Sequence, residues 1–217
     1  MDTARIAELL QPFGGESASK RQLDQIACYL DLLLRWNARV NLTAVREQEK
    51  IVTRHFGESL FAARHLFPDQ PRLPGPHLID LGAGAGFPGL AIKIWAPMIQ
   101  LTLIESKHKK VAFLREVIRA LSFTDAEVLA GRAEDFSGPR ADVVTVRAVE
   151  RFERILPIAS RLTRLGGRVA LLIGAAQLVG ANRATDVQWS PPVPIPLSDN
   201  RILRIGTKIG SPSRESA

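Results

Sequence analysis

The first 66 residues carry a helical pattern of apolar and polar positions. Ser19, with Gln22 three residues later, forms a capping box that predicts the start of a helix. Beyond it, apolar residues recur mostly three or four positions apart, as on the buried face of an amphipathic helix. The two stripes are Leu23, Ile26, Ala27, Leu30, Leu33, Leu34 and Val40, then Ile51, Val52, Phe56, Leu60, Phe61 and Leu66. We therefore predict a helical segment over residues 1–76, packed on the rest of the chain.

A proline-rich stretch, FPDQPRLPGPH, ends this segment, and the pattern changes at residue 77. Short, nearly continuous apolar runs then alternate with helical patterns, which predicts βαβ units and a mostly parallel sheet covered on both faces. The runs are HLIDLG, IQLTLIES, AEVLAG, ADVVTVRAV and GGRVALLIG. NRILRIGTK predicts a last, antiparallel strand, and VQWSPPVPIPL an extended connection. We place an α/β domain at residues 77–210 and a disordered tail at 211–217.

The amino-acid composition limits which cellular compartment and which binding partners we expect. Cys28 is the only cysteine, so no disulfide can form within the chain, and its apolar surroundings predict a small buried core residue. No signal-peptide pattern and no apolar run near 20 residues is present, so we expect a cytoplasmic protein without membrane association. The net charge of +7 favours a polyanionic partner, nucleic acid above all, although a basic surface alone would also explain it.

The stretch LIDLGAGAGFPG packs its glycines into a turn after an apolar strand, and two cofactor registers compete for it. Gly84, Gly86 and Gly89 match the G-x-G-x-x-G dinucleotide fingerprint, with Glu105 at a suitable distance for a ribose diol. A phosphate-binding loop of the G-x-x-x-x-G-K type is excluded, because the residue directly after Gly89 is leucine and not the required lysine. The dinucleotide register predicts a nicotinamide-dependent oxidoreductase, for which no hydride-handling group stands out.

The second register is D-x-G-x-G-x-G, starting at Asp80. A carboxylate at the strand end suits the cationic groups of S-adenosylmethionine (SAM) and would repel a pyrophosphate, although it could also only cap the next turn. Gly82, Gly84 and Gly86 would let the backbone approach the methionine part of SAM. Glu105 suits either cofactor, but the loop GRAEDF after the third strand favours a single adenosine. We therefore predict that the turn binds SAM.

Four stretches together resemble the RsmG (GidB) type of bacterial ribosomal RNA methyltransferase. They are LIDLGAGAGFPGLAIKI, LIESKHKKVAFLREV, GRAEDF and VTVRAV. LLLRWNARVNLTAV and IVTRHFGESL are similar to the family's helical segment, so the likeness covers roughly residues 20 to 175. It implies a Rossmann-like SAM-dependent methyltransferase fold with a mostly parallel seven-stranded sheet. It also implies methyl transfer from SAM to N7 of a guanine in 16S ribosomal RNA.

The resemblance also implies roles for individual residues. Gly82 and Phe87 would contact SAM, Ala133 and Glu134 would border its adenine, and Glu105 would hold its ribose. Arg147 would line the site after the fourth strand. The chain departs from the family after the fifth strand, where Ile173-Gly174 replaces a common Lys-Gly. Guanine N7 has an in-plane lone pair that needs no deprotonation, so no general base is required and no catalytic residue is assigned.

Several basic residues are candidates for contact with the RNA. Lys107, Lys109 and Lys110, with His108, open a helix beside the predicted cofactor site, where cations oppose the helix dipole. Either they contact the RNA backbone or they form a solvated basic face. Arg147 could touch SAM, phosphate or base. His55 either borders the site or is structural, and no clustered ligands predict a metal ion.

The expected partner is 16S ribosomal RNA or the small ribosomal subunit, and we expect a monomer. A non-catalytic RNA-binding module on a methyltransferase-like scaffold is a further alternative. The intact glycine turn and Glu105 argue against that alternative.

Overall fold

A computed structural model of the chain describes residues 1–14, 18–69, 74–147, 152–182 and 184–210. The predicted tail at 211–217 lies outside these residues. Helix α1 (Thr3–Leu10) begins at Asp2, whose carboxylate accepts a hydrogen bond from the backbone N–H of Arg5 at 2.7 Å. Helix α2 (Lys20–Asn37) begins at Ser19, and both hydrogen bonds of the predicted capping box with Gln22 are present. The predicted helix start is therefore confirmed.

The second helical stripe contains a local irregularity. Helix α3 (Gln48–Ile51) leads into a π-helical turn (Val52–Gly57), which leads into helix α4 (Glu58–Leu66). The apolar residues of the stripe are buried, apart from the half-buried Phe61. A π-helical turn is rare and often occurs at functional sites, because it redirects the side chains and carbonyls of one turn.

Cys28 is exposed, so the prediction that it is a buried core residue is wrong. The buried side of α2 at this point is formed by Ile26 and Leu30. Cys28 is two residues from each, which at 3.6 residues per turn turns its side chain about 200° away from them. Apolar neighbours in the sequence therefore did not place this cysteine on the apolar face.

The sheet has seven strands in one path. They are β1 (His77–Leu81), β2 (Gln100–Glu105), β3 (Ala126–Ala130), β4 (Ala141–Arg147), β5 (Thr163–Gly174), β6 (Val187–Trp189) and β8 (Arg201–Lys208), in the order β3-β2-β1-β4-β5-β8-β6. β1 to β5 run parallel, and β8 runs antiparallel to β5. This arrangement confirms the mostly parallel sheet and its antiparallel last strand.

The stretch predicted as an extended connection contributes two short strands instead. VQWSPPVPIPL supplies β6 and the two-residue β7 (Val193–Pro194), which pairs with β8 outside the main path. β7 ends at Pro194, and the N–H of the next residue, Ile195, still donates to the carbonyl of Arg201 in β8 at 3.0 Å.

Helices cover both faces of the sheet. They include α5 (Gly89–Trp95), α6 (His108–Ala120), α7 (Phe152–Leu162) and α8 (Leu178–Ala181). Leu78 belongs to a core cluster with Tyr29, Leu90 and Phe113, whereas the next residue, Ile79, belongs to a second cluster that includes residues of α7. The N-terminal helices thus share a core with α5 and α6. The division at residue 76 stays a prediction.

The carboxyl ends of the parallel strands meet at one edge of the sheet. β1 lies between β2 and β4, so the strand order reverses at β1, and connections leave it toward opposite sides. In open parallel sheets, ligands bind in the crevice at this reversal. The fold therefore directs attention to the residues that follow β1, β2, β3 and β4.

Candidate functional site

The turn after β1 needs glycine for its backbone conformation. Gly82, Gly84 and Gly86 have φ angles of 68°, 57° and 85°, in the left-handed region that side chains disfavour. A Cβ on Gly86 would also lie 2.3 Å from the hydroxyl oxygen of Tyr29. The N–H groups of Gly82 and Ala83 both donate to the carbonyl of Ile104, which fixes the turn against the end of β2.

Glu105, the last residue of β2, joins the turn to the next helix. One carboxylate oxygen accepts the N–H of Gly84 at 2.9 Å, and the other accepts the N–H of Lys107 at 2.8 Å. The residue is only 6% exposed. Each carboxylate oxygen can accept a second hydrogen bond. Glu105 can therefore hold a hydroxyl of a ligand while it also holds the protein backbone.

A cavity of about 340 Å³ opens beside Glu105 at the carboxyl ends of β1, β2 and β3. Its lining consists of Gly82, Ile104, Glu105, Ser106, Gly131, Arg132, Ala133, Glu134 and Ile155. The structure therefore brings together four predicted cofactor residues: Gly82, Glu105, Ala133 and Glu134. The volume lies within the range of small-molecule sites, and the wall combines backbone groups, a carboxylate and an apolar side chain from α7.

Arg161 of α7 holds the loop that follows β3 through hydrogen bonds to its backbone. Its guanidinium donates to the carbonyl oxygens of Ala133, Glu134 and Phe136, each at 3.1 Å. Ala133 and Glu134 belong to a short 3₁₀ turn (Ala133–Asp135), so these contacts fix the turn that faces the cavity. Sequence reasoning did not identify Arg161, since nothing in its local pattern sets it apart from other helix-surface arginines.

Asp80 takes the capping role and does not face the cavity. Its carboxylate is 1% exposed, accepting the hydroxyl of Thr145 at 2.8 Å and the N–H of Gly89 at 3.0 Å. Burial raises the pKa of this carboxyl to about 7. The expected contact with a cationic ligand is therefore replaced by support for the start of α5. This contact also engages Gly89, the third glycine of the dinucleotide register.

Phe87 lies in the core rather than on the wall of the cavity. Its ring stacks on Tyr29 at 5.1 Å between centroids and meets Phe56 edge-on at 4.9 Å. The Tyr29 hydroxyl donates to the carbonyl of Ala85 within the glycine turn. Tyr29 and Phe87 thus join the N-terminal helices to the turn. The contact of Phe87 with SAM stays a prediction.

A second polar group lies at the ends of β4 and β5, and we call His55, Glu58, Arg147 and Arg201 the arginine cluster. The two N–H groups on one Nη of Arg147 are shared among three acceptors: Glu58 Oε2 and His55 Nδ1, both at 3.0 Å, and the carbonyl of Arg54 at 2.5 Å. The Nε of Arg201 donates to the same Glu58 oxygen at 2.9 Å. The structure thus brings the predicted residues His55 and Arg147 together.

Burial shifts the pKa values of His55 and Arg147 in the arginine cluster. Burial and the charge of Arg147 lower the pKa of His55 to about 3, so its ring is neutral at neutral pH. Because Nδ1 accepts from Arg147, Nε2 carries the proton and donates to the Thr43 hydroxyl at 2.8 Å. Burial also lowers the pKa of Arg147 to about 10, which still leaves the guanidinium charged.

The predicted lysines lie at the start of α6, beside the glycine turn. Lys107 and Lys109 are exposed, and Lys110 is half-buried. The ammonium nitrogen of Lys110 lies 3.9 Å from the position that a Cβ on Gly84 would occupy. Lys110 is therefore at the cofactor turn itself, whereas the other two reach into solvent.

Glu58 and Arg201 were missed by the sequence analysis. Glu58 falls between Phe56 and Leu60 on a buried apolar stripe, and a lone charge at such a position indicates a buried ion pair. Arg201 had no comparable signal. Ile173, where the family commonly has lysine, is a buried residue of β5.

A larger cavity, of about 750 Å³, lies at the opposite edge of the sheet. It is bordered by Lys93, Trp95 and Phe123, where α5 and α6 end. The ammonium of Lys93 is already bonded to the carbonyls of Pro97 and Ile99. This cavity has neither a glycine turn nor strand carboxyl ends, so the smaller cavity is the better candidate site. Within the described ranges, no group of three or more His, Cys, Asp or Glu side chains could hold a metal ion.

Comparisons with known proteins agree with this geometry. Residues 22–189 match the family described as rRNA small subunit methyltransferase G. The chain is similar to the ribosomal RNA small subunit methyltransferase G of Chloroflexus aggregans, with 40% identity over 92% of this chain and 88% of the relative. The Streptococcus thermophilus protein of the same name is 33% identical to this chain, over 88% of this chain and 85% of the relative. A solved mutant of MtNAS in complex with S-adenosylmethionine shares the fold, with a TM-score of 0.60 and 16% identity over 86% of this chain and 75% of that one.

Proposed function

The chain belongs to the rRNA small subunit methyltransferase G family, and from this membership we propose that it transfers the methyl group of SAM to N7 of a guanine in 16S ribosomal RNA. The observation that carries the proposal is the cavity in which the glycine turn, Glu105 and the Ala133–Glu134 loop meet. These residues lie far apart in the sequence, and they match the parts of one adenosine-containing cofactor.

The residues of the cavity fit SAM in size and in chemistry. Glu105 is placed to accept hydrogen bonds from a ribose, since both of its oxygens keep acceptor capacity. The 3₁₀ turn at Ala133 offers backbone N–H groups to an adenine, since Arg161 holds its carbonyls on the other side. Gly82 and Gly84 leave room for a chain of atoms against the backbone, and Lys110 stands beside them as a partner for a carboxylate.

The chemistry asks little of the protein beyond position. SAM, when bound, supplies an activated methyl group on a sulfonium leaving group. The N7 lone pair can attack without losing a proton, so the protein needs only to hold base and cofactor in line. The turn held by Tyr29 and Glu105 supplies a rigid floor for this alignment. A guanine must also leave its stack or lie in a loop to reach the cavity.

We further propose that the basic residues at this edge contact the RNA. Lys107 and Lys109 reach into solvent beside the turn, where a polyanion can approach. Arg147 and His55 border the same edge from the N-terminal side. The substrate would be 16S ribosomal RNA or the small subunit, in the cytoplasm, with the protein acting as a monomer. Among the described residues, no helix is both long enough and apolar enough to span a bilayer.

Methyl transfer to small-subunit RNA tests the proposal directly. Unmodified small subunits incubated with the protein and labelled SAM should acquire label at one guanine, found by mapping the modified nucleotide. Gly82→Asp should abolish transfer, because Gly82 has a φ of 68° and its side chain would enter the cavity. Gly210→Asp is the matched control, since a Cβ there meets nothing within 4 Å.

Cofactor binding provides an independent check. S-adenosylhomocysteine should raise the melting temperature of the protein, and NAD should not. Tight RNA binding without any transfer of label would instead support the non-catalytic RNA-binding module.

A further inference from the structure

Two arginines share one carboxylate oxygen in the arginine cluster. Arg147 and Arg201 both donate to Oε2 of Glu58, at 3.0 Å and 2.9 Å. Glu58 is 2% exposed, so the three residues form a buried ion triad of one carboxylate and two guanidinium groups. The remaining member, His55, is neutral. Two positive charges and one negative charge leave the cluster with a net charge of +1.

Both guanidiniums retain unused donors. Among the described residues, no hydrogen-bond partner is found for the buried Nε of Arg147 or for a buried Nη of Arg201. The Arg147 side chain is 8% exposed and that of Arg201 is 19% exposed, so the pair is close to the surface. An unpaired buried donor is costly. An anion with several acceptor oxygens would satisfy these donors and balance the charge.

The pair lies on the same edge of the sheet as the cofactor cavity. Arg147 pairs with Leu172 in the register of β4 with β5, and Arg201 pairs with Gly174, the last residue of β5. The Cζ of Arg147 lies 5.9 Å from the centre of the Phe87 ring, and Phe87 directly follows the glycine turn. The two arginines therefore lie at the same edge of the sheet as the cavity, on the β5 side of the glycine turn.

We propose that Arg147 and Arg201, held together by Glu58, bind a phosphate of the RNA chain next to the reacting guanine. This proposal rests on the proposed function. Guanidinium groups match phosphate oxygens in geometry, and the charge of a phosphodiester matches the net +1 of the cluster. A bond from either arginine to N7 would occupy the lone pair that methyl transfer requires. The donors therefore serve the RNA backbone, and Glu58 positions them.

The salt dependence of RNA binding distinguishes this role from a structural one. Arg201→Met should weaken binding of an unmodified 16S ribosomal RNA transcript about tenfold at ~0.15 M salt, as expected for loss of a charged hydrogen bond. The plot of log affinity against log salt should become shallower by about 0.7 to 0.9, the value for one lost phosphate contact. Affinity for S-adenosylhomocysteine should stay unchanged, and so should the far-ultraviolet circular dichroism spectrum.

Two further variants keep the test decisive. Arg204→Met removes a charge from the same strand. Arg204 lies three residues from Arg201, so the two side chains lie on opposite faces of the sheet. The Cζ of Arg204 lies 5.7 Å from the centre of the Trp189 ring. Arg204→Met should change RNA affinity less than twofold. Arg201→Lys keeps the charge, so it should retain the salt slope of the unaltered protein and lose less affinity than the methionine variant.

Three results would overturn the proposal. Unchanged RNA affinity in Arg201→Met would remove the arginine pair from the RNA interface. Weaker binding with an unchanged salt slope would assign the contact to a base rather than to a phosphate. Loss of S-adenosylhomocysteine binding together with RNA binding would make Arg201 structural. Because the assay measures RNA binding and not methyl transfer, failure of the proposed reaction would leave its outcome readable.

Discussion

The cofactor cavity and the arginine cluster lie on one edge of the sheet, yet they are constructed differently. The cavity is formed mainly by backbone turns after successive strands, and its central contact joins Gly84 to Glu105 over 21 residues. The cluster is formed by side chains, and its contacts join Glu58 to Arg147 over 89 residues and to Arg201 over 143. One region is thus specified by compact motifs, and the other by distant residues that the fold brings together.

This difference decides what a sequence can reveal. A glycine turn has a recognisable sequence motif, because each of its glycine positions needs a particular backbone conformation. A buried ion pair needs only opposite charges at the right place, which many sequences supply. The residues of the glycine turn can therefore be recognised in the sequence, whereas Glu58 and Arg201 were found only in the structure.

Loss of Glu58 should have the largest effect. Glu58→Ala leaves two largely buried arginines without a counter-charge, so the free energy of unfolding should fall by about 3–5 kcal/mol. Urea titration measures this change. If the two regions are independent, the folded fraction should bind S-adenosylhomocysteine with unchanged affinity; a parallel loss would show that cluster and cavity form one unit.

An exposed ion pair provides the control for that variant. Glu49 contacts Arg5 at 2.9 Å, with both side chains about half exposed. Glu49→Ala removes the same charge from the same segment, and its urea midpoint should differ little from that of the unaltered protein.

The pH dependence of stability should contain opposite contributions from the two regions. The lowered pKa of His55 makes stability rise with pH up to its ordinary value of 6.5, whereas the raised pKa of Asp80 makes stability fall. Burial raises the pKa of Asp80 to about 7 in the folded state, from its ordinary value of 3.8 when unfolded. Between these values the folded protein keeps a proton that the unfolded chain loses. The contribution of Asp80 is therefore full below about pH 4 and declines by up to about 1.4 kcal/mol per pH unit until about pH 7.

Urea titrations from pH 5 to pH 8 measure that decline. Asp80→Asn should remove this part of the slope, because the amide does not titrate. An identical slope in both proteins would contradict the assignment.

Tyr29→Phe should have a smaller, mixed effect. It leaves the buried carbonyl of Ala85 without its hydroxyl donor, which should cost about 1–2 kcal/mol of stability. The glycine turn should also loosen, so the dissociation constant for S-adenosylhomocysteine should rise several-fold in calorimetry. Phe56→Leu, which alters packing beside Tyr29 and leaves this hydrogen bond, should lower stability with little change in ligand affinity.

Arg161→Met should have the smallest effect on stability, because the side chain is exposed. Without the guanidinium, the turn at Ala133 and Glu134 is free to shift, so affinity for S-adenosylhomocysteine should fall about threefold, consistent with a net hydrogen-bond contribution. Affinity for adenosine should fall by the same factor. Arg164→Met is the matched control, since Arg164 contacts Asp142 instead and should leave both affinities unchanged.

The sequence predicted much of the fold and missed its local exceptions. Alternation of apolar runs with helical stripes located the parallel strands, and the capping box located the start of α2. The π-helical turn at residues 52–57 and the exposure of Cys28 were not predicted. Both depend on how a helix is rotated against its neighbours, and an apolar pattern defines that rotation only approximately.

The candidate site divides in the same way. Gly82, Glu105, Ala133 and Glu134 were assigned from motifs and do share a cavity. Asp80 was interpreted by its charge and by its position after a strand, but burial decides its role. The ring of Phe87 packs on Tyr29, a residue from a different segment, and its contact with SAM stays a prediction. Local chemistry could not show which partners the fold would bring to each side chain.

The span of the contacts also orders events during translation. Tyr29 and Ala85 are 56 residues apart, so the hydrogen bond that joins α2 to the glycine turn can form early in synthesis. Glu58 must wait for β8 to emerge before Arg201 reaches it. A nascent chain leaves the ribosome from its N-terminus. The contact between Tyr29 and the glycine turn can therefore form before Arg201 has been synthesised.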